Sequence, residues 1–193
     1  MDTRERILDA ATRAMRDLGV ARATTKEIAK AADCSEALIY KHFSSKEMLY
    51  NAVFRERIPV LKEASARLHA NVGKGSLEEN LTEYALAAVR LYKDVLPLAG
   101  GMFADPMLLD VMRASFASTR SGPHQAVLAL ARFLRAEQRH GRVLAGADPD
   151  AAAALLLGAC FQRAFFEHLV ELPDDADRFA ADLVSMLAPA LIA

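Results

Sequence analysis

Residues 24–46 constrain the fold of this chain more than any other stretch, because they combine two short capped helices with a tight turn. Thr24 and Glu27 have the spacing of a capping box, which predicts that the first helix begins there. Asp33 tolerates the left-handed backbone of a sharp turn, and Ser35 is a good N-cap for the second helix. The pattern predicts a helix-turn-helix, whose second helix has the geometry to enter a DNA major groove.

Apolar residues recur on both sides of this turn, at Ile28 in the first helix and at Leu38, Ile39 and Phe43 in the second. Residues 3–18 form a predicted amphipathic helix that ends at Gly19. A helix of that length is marginal by itself, so we expect it to pack on the helix pair that follows.

The rest of the chain is predicted to form further helices, about nine in all. Ser44 and Glu47 have the spacing of another capping box, and Pro97 with the Gly100-Gly101 pair is expected to interrupt the chain after residue 96. The predicted later helices are 45–70 with a kink at Pro59, 76–96, 105–117, 122–141, 148–172, and a last one that Asp174 opens and Pro189 ends or kinks.

Composition excludes several classes of protein. The net charge is -1 and residues 1–57 carry an excess of only +2, so the chain as a whole is not a basic nucleic-acid binder. Its two cysteines, Cys34 and Cys160, lack metal-type spacing and are expected to be reduced thiols of a cytoplasmic protein. The longest apolar run, 151–161, is shorter than the roughly 18 residues of a membrane span, and no signal peptide is recognised.

Residues 4–54 resemble the DNA-binding domain of the TetR (tetracycline-repressor-like) transcriptional regulators. The residues that carry the resemblance are Arg6-Ile7-Leu8-Asp9-Ala10-Ala11, Gly19, Thr24-x-x-Glu27-Ile28-Ala29, Ser35, Tyr40-Lys41-His42-Phe43 and Ser45-Lys46-Glu47-x-Leu49. The chain departs from the family at the turn, where Asp33-Cys34 replaces Gly-Val, and in the second helix, where Ala37-Leu38 replaces Gly-Thr. The turn tolerates the first departure, and the second prevents the transfer of a base preference from other members.

The resemblance implies an all-α protein with two domains. Residues 1–45 are expected to form a three-helix helix-turn-helix DNA-binding domain, and residues 46–193 a helical ligand-binding and dimerisation domain. The family's DNA-backbone contacts correspond to Thr24, Thr25, Tyr40, His42 and Lys46, although Thr24 is equally a structural cap, and Tyr40 and His42 have the alternative role of supporting the core.

Direct base contacts are expected from six residues of the helix pair, because lysine can donate to guanine, glutamate can accept from cytosine N4, and alanine or leucine can meet a thymine methyl. These residues are Lys26, Ser35, Glu36, Ala37, Leu38 and Lys41. One short helix reaches only a few base pairs, so we expect a homodimer on a palindromic double-stranded operator.

The dimer surface is expected on the last two long helices, because residues 151–161 are apolar on nearly every face and a partner subunit would cover them. The alternative is burial of both helices within their own subunit. The expected interface residues are Leu155, Gly158, Ala159, Gln162, Phe179, Leu183, Met186 and Leu187.

Soft and aromatic residues in the middle of the chain are either ordinary core or the lining of a pocket for a small, largely apolar effector. The candidate ligand-binding residues are Met102, Phe103, Met112, Phe116, His124, Gln162, Phe165 and Phe166. Gly100-Gly101 and the Pro59 kink are candidate flexible points for a response to that effector.

No enzyme motif is recognised, so we expect no catalytic residue, cofactor or metal site. Glu137-x-x-His140 matches half of a di-iron pattern, and without a second half it is interpreted as a surface pair. The predicted function is a ligand-responsive, sequence-specific DNA-binding repressor. The alternatives are a helical protein-binding module, an activator without a small-molecule ligand, and an enzyme built on a helical bundle.

Overall fold

The protein consists of helices and the turns between them. A computed structural model describes residues 2–57, 61–173 and 175–192. These residues contain no β-strand, and strand-like pairing is confined to one bridge between Val143 and Ile192. The helices are α1 (Thr3–Leu18), α2 (Thr25–Ala31), α3 (Glu36–His42), α4 (Lys46–Glu56), α5 (Lys62–Ala70), α6 (Leu77–Phe103), α7 (Pro106–Thr119), α8 (His124–Arg139), α9 (Pro149–Glu167) and α10 (Ala176–Leu191). The all-α prediction is therefore confirmed.

The described residues form ten helices rather than about nine, because the single helix predicted over residues 45–70 is two helices, α4 and α5. The predicted kink at Pro59 and the predicted helix start at Asp174 lie outside the described residues. Helix α10 is capped by Asp175, whose carboxylate accepts the backbone N–H of Arg178 at 3.1 Å.

Two further helix boundaries differ from the predictions. The cap of α4 is Ser45 rather than Ser44, because the Ser45 hydroxyl accepts the backbone N–H of Met48 at 3.2 Å. Pro189 does not end α10, which continues to Leu191.

The chain divides into two compact units, Met1–Ile58 with Val95–Ser121 and Pro59–Asp94 with Gly122–Ala193. Helix α4 therefore belongs to the same unit as α1–α3. The domain division between residues 45 and 46 stays a prediction, since a compact unit defined by packing is a different property from a domain that functions separately.

The first unit is built around the apolar stripe of α1, which the sequence pattern predicts. Helix α1 packs on α2 and α4, and α4 also packs on α7. The largest side chains of this core are Ile7, Leu8, Met15, Ile28, Ile39, Phe43, Leu49, Tyr50, Leu98, Leu108 and Met112. The helix pair of residues 25–42 therefore has a rigid apolar support on its inner side.

Ion pairs between α1 and α4 surround one side of this core. Arg4 donates to both carboxylate oxygens of Glu56, at 2.9 and 2.6 Å, and its guanidinium also lies 5.4 Å from the centre of the Phe43 ring. Arg57 donates from Nε to Asp9 at 2.9 Å and also contacts Glu5. Arg4 thus fixes α4 and the end of α3 against the same helix.

The second unit packs α8 against α5 and α9, and α9 against α10. Its core includes the large buried side chains Leu68, Leu81, Tyr84, Leu130, Phe133, Leu134, Leu156, Leu157 and Val184. Tyr84 has a partner for its hydroxyl inside this core, because it donates to the carbonyl of Ala126 at 3.1 Å.

Glu137 is buried in this unit rather than paired with His140 on the surface, so the interpretation as a surface pair is wrong. It is 0% exposed, and its Oε1 accepts the backbone N–H of Gly73 at 2.9 Å. Its Oε2 forms an ion pair with Arg142 Nε at 3.0 Å, and Arg142 also donates to the carbonyl of Gly75 at 3.0 Å. The carboxylate therefore ties the α5–α6 turn to the end of α8.

Helix α6 continues through the stretch that was expected to interrupt it, so the break predicted at Pro97 and Gly100-Gly101 is wrong. A Cβ on Gly101 would lie 2.5 Å from Cβ of Val20, while a Cβ on Gly100 would meet nothing within 4 Å. Gly101 therefore serves close packing in the first unit and not a turn.

Pro97 leaves one carbonyl of α6 without its helical partner, because proline has no N–H to donate to residue i−4. That carbonyl belongs to Lys93, and His168 Nε2 lies 2.9 Å from it. The imidazole at the end of α9 thus supplies the missing hydrogen bond, which helps α6 to pass the proline without a break.

Candidate nucleic-acid interface

The turn between α2 and α3 has the backbone geometry that its sequence predicts. Asp33 has φ +49°, and the N–H of Cys34 donates to the carbonyl of Ala29 at 3.0 Å. The Ser35 hydroxyl accepts the backbone N–H of Leu38 at 3.2 Å and caps α3. A left-handed residue followed by an N-cap reverses the chain in few residues, which turns one face of α3 outward.

The two threonines at the start of α2 have different environments. Thr24 is exposed and caps the helix, because its hydroxyl accepts the N–H of Glu27 at 3.2 Å. Thr25 is only 7% exposed, and its hydroxyl donates to the carboxylate of Glu36 and lies 3.4 Å from the Tyr40 hydroxyl oxygen. The sequence patterns did not indicate this contact, because it joins residues of two helices through a turn.

The outer face of α3 carries most of the residues predicted to touch DNA. Tyr40 is 47% exposed, so it does not serve as core. Leu38 is half-buried. The other predicted residues of this segment that are exposed are Ser35, Glu36, Ala37, Lys41 and His42. Because these side chains are exposed, they can make direct contact with a DNA groove.

Two predicted lysines flank this face. Lys26 is exposed in the first turn of α2. Lys46 is half-buried at the start of α4, where its ammonium lies 5.1 Å from the centre of the Tyr50 ring. A lysine held over an aromatic ring keeps its aliphatic stem packed, while its charge stays near the N-terminus of the helix. Phosphate binding is favourable at that end.

The predicted dimer residues lie on α9 and α10 with one apolar face uncovered in the single chain. Leu155 is 63% and Met186 80% exposed, and Gly158 and Gln162 are also exposed. The remaining four, Ala159, Phe179, Leu183 and Leu187, are half-buried. The interface stays a prediction, and the exposure of these side chains is compatible with it.

The eight predicted ligand residues are divided between the two units. Met102, Phe103, Met112 and Phe116 lie in the first, and His124, Gln162, Phe165 and Phe166 in the second. Met112 is 1% exposed within the core, Met102 and Phe116 pack against that core, and Phe103 is 69% exposed. In the second unit Phe165 and Phe166 are 44% and 42% exposed.

A surface depression of about 550 Å³ in the second unit is lined by Lys93 and residues 167–172, which include none of these eight side chains. Among the described residues no group of three or more His, Cys, Asp or Glu side chains is arranged to hold a metal ion. The effector residues therefore stay predictions.

Membrane-spanning potential is limited in the part of the chain that the structure describes. No single helix there has both the length and the apolar character that crossing a membrane requires, although the bent pair Leu77–Phe103 and Pro106–Arg139 meets the criteria when its members are taken together.

A capped helix pair on a three-helix core, with a polar outer face on the second helix, defines a helix-turn-helix DNA-binding protein. The family model described as bacterial regulatory proteins, tetR family, matches residues 7–53. A second model, described as AefR-like transcriptional repressor, C-terminal domain, matches residues 105–188. Together they cover more than half of the chain, which belongs to the TetR family of transcriptional regulators.

Individual relatives are distant. The HTH-type transcriptional regulator BetI of Stenotrophomonas maltophilia is 37% identical over 70 residues, which are 36% of this chain and 36% of that protein. A TetR-family regulator from Mesorhizobium loti has a TM-score of 0.76 at 19% identity, covering 99% of this chain and 97% of the other. FadR from Bacillus subtilis, solved with stearoyl-CoA, has a TM-score of 0.67 at 17% identity, covering 95% and 96%. The solved structures share the fold.

Proposed function

We propose that this protein is a cytoplasmic repressor that binds a palindromic operator as a homodimer and is released from it by a small, largely apolar effector. The observation that carries the DNA-binding part is the outer face of α3, where Tyr40, Lys41 and His42 are exposed beside Lys46. Exposed hydroxyl, imidazole and ammonium groups on one helix face suit phosphate and base edges better than a protein core.

The proposed contacts fall into two groups with different effects. Backbone contacts set affinity and register, whereas base contacts set the preferred sequence. The proposed backbone contacts are Thr24, Thr25, Tyr40, His42 and Lys46. The proposed base contacts are Lys26, Ser35, Glu36, Ala37, Leu38 and Lys41.

The effector part of the proposal is supported by residue chemistry and by one relative. Exposed phenylalanines such as Phe165 and Phe166 suit an apolar ligand, and FadR was solved with stearoyl-CoA. Such a ligand acts as an inducer only if it binds more tightly to the state of the protein that does not fit the operator. DNA binding then weakens effector binding by the same factor.

Operator binding by a Tyr40→Ala, Lys46→Ala double variant tests the DNA-binding assignment. Loss of one hydroxyl and one ammonium should weaken binding by on the order of tenfold or more, because contacts to charged phosphates are the stronger kind. Binding of the wild type should also fall steeply with salt, by roughly 0.9 log unit per released counterion per log unit of salt.

The matched control is Lys62→Ala, which removes an exposed lysine of α5 outside the helix pair. Fluorescence anisotropy with a fragment selected from genomic DNA gives both affinities. Equal affinity of the double variant and the control would contradict the assignment, and failure of the wild type to select any fragment would favour a protein-binding module instead.

A further inference from the structure

The Thr25 hydroxyl is turned away from solvent and toward α3. Its side chain is almost fully buried, and it donates its proton to the carboxylate of Glu36, one turn before Tyr40 on the same helix. The Tyr40 hydroxyl oxygen is 3.4 Å from Thr25 Oγ1. Three residues that the proposed function places at the DNA thus contact one another in the free protein.

The protons in this group point in one direction. A carboxylate only accepts hydrogen bonds, so the single hydroxyl proton of Thr25 goes to Glu36. The oxygen of Thr25 is then left to accept, and Tyr40 donates to it. The Tyr40 hydroxyl therefore donates to Thr25 and the Thr25 hydroxyl donates to Glu36, so neither proton is available to a phosphate in this arrangement.

The two links differ in strength. The Thr25–Glu36 bond is charge-assisted, whereas 3.4 Å is long for a bond between two hydroxyls. Tyr40 is also half exposed, so it can leave Thr25 with little cost when a better acceptor arrives. A phosphate oxygen is such an acceptor, because it is charged.

Glu36 itself is in an unusual position for a DNA-facing helix. It is exposed in the first turn of α3, where a negative charge is repelled by phosphates unless it finds a donor. In the major groove cytosine offers the N4 amino group as a donor, while guanine N7 and O6 and thymine O4 only accept. Adenine offers N6, but its N7 acceptor lies next to it and opposes a carboxylate.

We infer that Glu36 exchanges hydrogen-bond partners when the protein binds its operator. In the free protein it holds the Thr25 hydroxyl and, through it, Tyr40. On the correct site it accepts from cytosine N4, and the two hydroxyls donate to phosphate oxygens instead. Glu36 is then a specificity-determining residue and Thr25 a positioning residue, which deepens the proposed function and rests on it.

The exchange couples base recognition to backbone contact. Where the base edge has no amino donor, Glu36 keeps its hydrogen bond from the Thr25 hydroxyl. That hydroxyl is then not available to donate to the phosphate. One wrong base therefore costs more than one contact. The preference for cytosine at one position of each half-site should therefore exceed about tenfold, which is the usual effect of one hydrogen bond to a charged group.

Selection from a random DNA library, read by sequencing, measures this preference with the full chain. Glu36→Gln keeps the size of the side chain and, being exposed, should fold normally. It should lose the cytosine preference at that one position and bind unrelated DNA more tightly, because a negative charge is gone. Thr25→Val should weaken the same preference, and Thr25→Ser should restore it.

Glu27→Gln is the matched control, because it removes the same charge from an exposed residue in the first turn of α2. It should strengthen binding to all sequences equally and leave the base profile unchanged. Circular dichroism and thermal unfolding of each variant show whether the buried Thr25→Val change perturbs the fold, and Glu36→Gln tests base readout even if it does.

The outcomes separate the inference from the function on which it rests. If the wild type selects no sequence, the proposed function fails and the inference fails with it. If the wild type selects a palindrome but Glu36→Gln keeps the same profile, the inference is overturned while the function stands. If Glu36→Gln changes the profile and well-folded Thr25→Val does not, the exchange is overturned.

Discussion

Gly101 is required by its close contact with a single side chain, that of Val20. The position a Cβ would take lies 2.5 Å from Cβ of Val20, an atom that cannot move without its backbone. Its neighbour Gly100 faces open space in the same helix. When only the sequence is considered, the Gly-Gly dipeptide suggests flexibility. The residue that explains Gly101 is Val20, which is distant in the chain, so the local sequence does not reveal the contact.

The two glycines therefore predict opposite effects of the same substitution. Gly101→Ala should lower the free energy of unfolding by about 1–3 kcal/mol, the usual cost of overpacking. Gly100→Ala should raise it by up to about 1 kcal/mol, because alanine is the better helix former. Urea denaturation of the two variants checks this, and similar shifts in both would show that Val20 does not limit the space at Gly101.

At the scale of elements, the caps of α2 and α3 were predicted correctly, whereas the cap at Ser44 and the break at Pro97 were not. The caps at Thr24 and Ser35 were predictable, because each cap bonds a backbone N–H three residues away. Continuation of α6 through Pro97 was not, because His168, which satisfies the Lys93 carbonyl, is 75 residues from it along the chain. Helix propensity depends on local sequence, so it cannot predict a hydrogen-bond partner that is so distant in the chain.

Glu167 makes a similar link between α9 and α6. Its side chain is 11% exposed, and it pairs with Arg163 Nε at 2.7 Å and with Lys93 Nζ at 3.1 Å. Burial alone would raise the pKa of the Glu167 carboxyl, but the hydrogen bonds from Arg163 and Lys93 outweigh it and hold that pKa below its usual value. The charged form is therefore favoured by folding.

This pKa shift gives the stability a defined pH dependence. A carboxyl whose pKa is lowered by folding stabilises the protein above its unfolded pKa of about 4.3, and the contribution is lost as pH falls through the folded value. Glu167→Gln should lower the free energy of unfolding by about 1–2 kcal/mol near neutral pH, and the difference from wild type should shrink below about pH 4.

The control for Glu167 is Asp182→Asn, which breaks the pair of Arg178 and Asp182 on the surface of α10, where both side chains are more than 70% exposed. An exposed pair contributes little, so this variant should match the wild type at either pH. Urea denaturation near neutral pH and near pH 3.5 provides the comparison, and an equal effect of Glu167→Gln at both pH values would contradict the account.

At the scale of the whole molecule, the exposure of the proposed DNA contacts on α3 could be predicted from the sequence, whereas the surroundings of the proposed effector residues could not. The former lie in one local motif, whose spacing alone places Tyr40 and Lys41 outside and Ile39 inside. The prediction of the effector residues rests on residue type, and residue type does not distinguish the wall of a pocket from the core of a domain. Met112 illustrates this, because it is fully buried in the first unit.

The proposed dimer is the property on which the proposed operator binding depends, since one α3 would contact too few base pairs. Leu155 and Met186 are large apolar side chains that the single chain leaves mostly exposed, and a partner that covers them would remove that area from water. A charge introduced there would have to be desolvated in the interface, so the Leu155→Glu, Met186→Glu double variant should be monomeric.

Sedimentation velocity of this double variant and of Met107→Glu gives the test, because Met107 is 70% exposed on α7 and is outside the proposed interface. The control should stay dimeric and keep its operator affinity. The double variant should sediment as a monomer and bind the operator on the order of a hundredfold more weakly, because its two half-sites are no longer linked. A double variant that remains dimeric would move the interface to another surface, whereas a monomer with full affinity would show that one helix-turn-helix suffices.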